Sequence, residues 1–157
     1  MRSSAADWLI IGYGNILRED DGAGFRLVTS LATDVPPHLV RVLAVHQLTP
    51  ELALELAAKD VDRVLFVDAQ RHQDKPFVMR QLDPLSAAGS CGHQLTPDLL
   101  LYMTHSLYQY TPKGWLLTLA AQQMGVGYSL SETAQAAISG ADTLIKKLFA
   151  GAVVEQK

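Results

Sequence analysis

Cysteine is nearly absent: the 157-residue chain contains one, Cys91. A lone cysteine excludes an intrachain disulfide framework and any cysteine-rich zinc site, and it fits a reducing compartment. Basic clusters are missing too. Lys and Arg number 13 against 16 acidic residues, a net charge of −3, so the electrostatic footprint of a nucleic-acid binder is lacking. No apolar run is long enough for a membrane span. The longest uncharged stretch, 114–131, holds Gln122, Gln123 and several glycines, which suit a bilayer poorly. The first residues, MRSSAADWLIIGYG, lack the apolar stretch of a signal peptide. These absences lead to the expectation of a soluble cytoplasmic monomer that binds neither nucleic acid nor membrane. Charged residues are sparse at 18%, whereas apolar ones make up 48%. At this length, one domain covering 1–157 can bury a full core.

What is present alternates between two hydrophobic periods. The runs WLIIG (8–12), LVRVLAV (39–45), RVLFVDA (63–69), FVMRQL (77–82) and WLLTLA (115–120) read as strands. The third is apolar almost throughout, as expected of a strand covered on both faces. Helical spacing marks 22–32, 49–59, 96–109 and about 130–149. Glu55 and Lys59 are placed as an i,i+4 pair. Ser129 and Glu132 are placed as a capping box, with Lys146 and Lys147 at the carboxyl end of the last helix. The few residues between strands 63–69 and 77–82 leave no room for a crossover helix, so strand 77–82 should run antiparallel to its predecessor. The order βαβαββαβα predicts an α/β three-layer sandwich with a mostly parallel five-stranded sheet and helices on both faces.

One heptapeptide occurs almost twice, HQLTPEL at 46–52 and HQLTPDL at 93–99. In each copy threonine suits an N-cap, proline the first helical position, and an acid the first turn. Neighbouring residues do not match, so the similarity is helix-starting grammar rather than duplication. Capping does not require the histidines, which leaves His46 and His93 to be explained.

The most informative stretch is GYGNILREDDGAG, 12–24, between the first strand and the first helix. Glycines at that junction suggest a nucleotide fold, but Leu17 stands where the dinucleotide fingerprint needs its third glycine. The consecutive acids Glu19, Asp20 and Asp21 would repel a pyrophosphate. One of Asp20 and Asp21 suffices to cap the helix; the surplus carboxylates point to a cation. Asp68 ends an apolar strand at the edge where open α/β sheets bind ligands, although an aspartate there also suits turn capping. His93 enters the third helix from a loop.

Together, the pattern G-x-G-N-x-L-x-x-D-D-G-x-G, an aspartate ending the third strand and a loop histidine before the next helix resemble the hydrogenase maturation proteases. The resemblance covers nearly the whole chain, including MGVGYSLSETA before the last helix. It implies an endopeptidase that removes a carboxy-terminal extension from the nickel-loaded large-subunit precursor of a NiFe hydrogenase, its protein partner. It also implies a three-group site of Asp21, Asp68 and His93, serving as catalytic residues and as ligands toward nickel. That ion is sensed in the substrate rather than held permanently, and no organic cofactor is expected. An aspartic-type and a metal-dependent mechanism both stay open. Gly12, Asn15 and His46 are expected along the substrate groove, with Cys91 a small apolar filler. The HQLTPEL segment is similar to proteases serving bidirectional NAD(P)-linked hydrogenases. Two other readings remain: a flavodoxin-like nucleotide- or phosphate-binding module using Gly12 and Gly14, and a noncatalytic nickel-sensing chaperone.

Overall fold

The computed structural model describes residues 7–87 and 94–155. Five strands form one sheet: β1 (Trp8–Tyr13), β2 (Val40–Val45), β3 (Arg63–Arg71), β4 (Phe77–Gln81) and β5 (Lys113–Ala121). Four helices accompany them: α1 (Ala23–Leu31), α2 (Leu52–Leu56), α3 (Pro97–Tyr108) and α4 (Glu132–Glu155). The strand order is β2-β1-β3-β5-β4. All neighbours pair parallel except β4, which is antiparallel to β5.

Alternation along the strands divides the core in two. Ile10, Leu65, Val67, Leu117 and Leu119 face α1 and α4, whereas Leu9, Ile11, Val64, Phe66 and Leu116 face α2 and α3. The result is the expected three-layer sandwich. No helix among the described residues is long and apolar enough to cross a membrane.

β4 runs against β3 in direction, as expected, but does not pair with it; β5 lies between them. β3 and β5 match over nine residue pairs from Arg63↔Lys113 to Arg71↔Ala121, so the buried apolar strand gains a partner of its own length. The five-residue β4 is mostly exposed, which suits an edge. Gln73, in the β3–β4 connection, is bonded to Thr118 of β5, accepting from its hydroxyl at 2.7 Å and donating to its carbonyl at 3.1 Å.

Several local expectations are corrected. The second HQLTP copy behaves as anticipated: Thr96 caps α3 by accepting from the Leu99 amide at 3.2 Å. The first does not, because α2 spans only 52–56 and has no side-chain cap. Glu55 pairs with Arg41 of β2 at 3.0 Å rather than with Lys59. At the start of α4 the cap is Ser131, whose Oγ accepts from the Ala134 amide at 3.1 Å, not Ser129. Helix α4 continues to Glu155, so Lys146 lies within it, bonded to Asp142 at 2.8 Å and Asp34 at 3.3 Å.

Candidate functional site

The chain leaves β1 for β2 on one side and later returns to β3 on the other. The carboxyl ends of β1 and β3 therefore flank the point where the winding of the sheet reverses, the usual ligand position in open α/β sheets. The loop 14–22 starts there, and its tight course requires glycine. Gly14 has φ +145°, and a side chain on it would meet the Asp21 carbonyl oxygen at 1.9 Å. Gly12 is buried beneath α1, where a Cβ would lie 2.3 Å from the Gly24 carbonyl oxygen. The absence of a side chain at Gly12 lets α1 sit on β1.

The three acids divide by task. Asp20 is wholly buried and caps nothing. Its Oδ2 accepts from the Gln122 amide at 2.9 Å, the Gln123 amide at 3.1 Å and the Ser131 hydroxyl at 2.6 Å, while Oδ1 accepts from the Ser131 amide at 2.8 Å. Burial alone would raise its pKa, but these hydrogen bonds outweigh burial and hold the carboxyl below its ordinary value. Glu19, at φ 52°, accepts from the Gly125 amide at 2.9 Å. Arg18 adds a bond to the Met124 carbonyl at 2.9 Å. Two of the surplus carboxylates thus bind backbone amides of residues 122–131 rather than a cation. Asp21 is different: half-buried, it accepts from the Asn15 amide at 2.8 Å. The Asn15 side-chain oxygen is itself taken by the Leu17 amide at 2.9 Å.

These bonds also answer the phosphate reading. The amides of Gly14, Asn15, Leu17, Arg18, Glu19, Asp20 and Asp21 all donate within the protein. A loop that cradles phosphate must leave such amides free; this one has used them.

Asp68 lies on the α2/α3 side of β3, where its Oδ1 accepts from the Ala69 amide at 2.8 Å. Burial pushes its carboxyl up to about 6. The Ala69 amide and a hydrogen bond from the Tyr13 hydroxyl oppose that rise, and the negative charge of Asp21 adds to it. The Asp21 and Asp68 carboxylates are therefore brought within electrostatic reach of each other. Burial, then the charge and hydrogen bond of Asp68, raise the Tyr13 phenol well above its ordinary value, so it remains a proton donor. Arg80 of β4 and Asp98 in the first turn of α3, paired at 3.3 Å, also act on Tyr13 through their charges. A carboxylate that titrates near neutrality can accept a proton from an attacking water.

His46 stands exposed past the end of β2, its ring stacked on Phe25 of α1 at 5.1 Å and 14°. It stays on the carboxyl edge of the sheet, but through an aromatic contact. His93 and Cys91 lie outside the described residues. Among the described residues no three His, Cys, Asp or Glu side chains gather into a metal-holding group; of the expected groups, Asp21 acts on Asp68 through its charge. Tyr13 was missed by residue-type reasoning. Its signal was strand alternation: counting from Leu9 and Ile11 places it on the face that carries Asp68.

No protein-family model matches the chain, and no curated protein matches it by sequence. Solved structures do. The NiFe hydrogenase maturation protease HycI from Thermococcus kodakarensis is similar with a TM-score of 0.74 at 21% identity, over 94% of this chain and 95% of that one. The hydrogenase maturating endopeptidase HybD from E. coli gives 0.68 at 23%, over 92% and 90%. An endopeptidase from Escherichia coli solved in solution gives 0.67 at 25%, also over 92% and 90%. The chain has the fold of the hydrogenase maturation proteases. Within that maturation-protease fold, Asp21 and Asp68 occupy the reversal point of the sheet, the edge where such a sheet presents its ligand site.

Proposed function

We propose that this protein is an endopeptidase that removes the carboxy-terminal extension of a nickel-loaded NiFe hydrogenase large-subunit precursor. What supports the reading is the maturation-protease fold together with two acids, Asp21 and Asp68, near the reversal point of its sheet, where the charge of Asp21 acts on Asp68. Both carboxyls are half-buried; desolvation raises that of Asp68 to about 6, and that of Asp21 accepts the Asn15 amide of the loop. Nickel enters with the substrate. Asp21 and Asp68, with His93 as the third expected group, are the residues that would face it, and carboxylate with imidazole is a donor set suited to that ion. Asp68 is the group placed to take a proton from water.

The test is mass spectrometry of a nickel-loaded precursor after incubation with the protein, beginning with the precursor of a bidirectional NAD(P)-linked hydrogenase. Loss of a single carboxy-terminal peptide is expected from the nickel-loaded form and not from the nickel-free form. Stable association without cleavage would replace the peptidase reading with that of a chaperone.

A further inference from the structure

We propose that Tyr13 is a positioning residue whose hydroxyl holds the Asp68 carboxylate in its working orientation, a role that rests on the peptidase reading. Strand register puts the two side by side. β1 and β3 pair in parallel up to Gly12↔Val67, so the next residues on each strand are Tyr13 and Asp68. Both lie on the α2/α3 face, where the Tyr13 ring packs against the core containing Leu9, Ile11 and Phe66.

A carboxylate tied only to the next amide of its own strand keeps rotational freedom at its other oxygen. Asp68 has that local bond, to Ala69 at 2.8 Å. The neighbour on its other flank cannot serve as a second tether. Thr118 pairs with Asp68 in register, but its hydroxyl is engaged by Gln73 at 2.7 Å. The second tether we assign to Tyr13, which follows Gly12 on the adjacent strand as Asp68 follows Val67 and shares its face of the sheet. Burial of the ring fixes the donor, and the donor fixes the acid. Tyrosine serves here because one side chain provides both the packing and the hydroxyl.

Tyr13→Phe keeps the ring and removes the donor. With a nickel-loaded precursor, the variant should lose about ten- to hundredfold in kcat, the range for a lost bond to a charged group. KM should stay within about twofold, since the lost contact is to Asp68 and not to the substrate. An unchanged kcat would overturn the proposal and leave the peptidase reading intact. A wild-type protein that fails to cleave would instead overturn the peptidase reading and the positioning role with it.

A second measurement needs neither activity nor the Tyr13 variant. With carbon-13 at the tyrosine ζ positions, Asp68→Asn should move the Tyr13 resonance, assigned through its backbone neighbours. Those of Tyr102, Tyr108, Tyr110 and Tyr128 should stay in place. A Tyr13 resonance indifferent to Asp68→Asn would refute the tether even if Tyr13→Phe did not fold.

Discussion

A carboxylate whose oxygens are both occupied by amides and a hydroxyl serves the fold; in the run at 19–21 Asp20 is of this kind, whereas Asp21 accepts the Asn15 amide and acts on Asp68 through its charge. Asp20→Asn should cost about 3 kcal/mol, because an amide turns one donor toward donors and gives up the charge they complement. That corresponds to a fall in Tm of roughly 6–12 °C for a chain of this size. The sign of its pH dependence follows from the lowered pKa. The stability from Asp20 is present above the ordinary value of 3.8 and is lost as pH falls through it toward the folded-state value. Denaturant titrations should therefore find a wide gap between wild type and Asp20→Asn at neutral pH, and a gap that narrows in acid below about pH 4. Asp21→Asn should do the reverse. It retains an oxygen for the Asn15 amide, so its Tm should move by no more than about 2 °C, while precursor cleavage is abolished. Counting acids in the sequence suggested a cation for all the surplus charge. It could not reveal that residues 122–131 would supply the amides that neutralise Glu19 and Asp20.

At the scale of elements, the strands were legible because alternation and burial act locally, and Leu9 to Gly12 or Val64 to Val67 state their own period. Partner choice was less so. That β5 would insert between β3 and β4 depends on matching two nine-residue strands far apart in sequence, which no local pattern encodes. Helix starts were legible where a threonine had a full helix to cap, as at Thr96, and misleading at Thr49, where only five helical residues follow. Ser129 and Ser131 both stand before α4, but only Ser131 caps it, and the same hydroxyl donates to Asp20. Ser131→Ala should therefore cost about 2 kcal/mol or more, losing a cap and a bond to a charge together. Ser129→Ala should stay within about 0.5 kcal/mol. Equilibrium denaturation of the two variants checks the contrast.

Over the whole molecule, the two cores share every central strand of one sheet, so neither can melt alone. Calorimetry should find a single transition with a ratio of calorimetric to van't Hoff enthalpy of about 1. Asp21 was legible as part of a long motif between β1 and α1, whereas Asp68, expected to end its strand, lies inside β3, which continues to Arg71 because β5 pairs with it to that residue. Tyr13 was not legible, because its importance comes from the strand beside it.

The attachment of Asp20 to Ser131 also has a consequence in time. The partners are 111 residues apart, and a ribosome adding about 5–20 residues per second needs roughly 6–22 s to cover that distance. Until then the acidic loop lacks the amides that hold it, so a growing chain carries its carboxylates without their geometry. A chain assembled in this order leaves Glu19 and Asp20 without their partners until residues 122–131 have emerged.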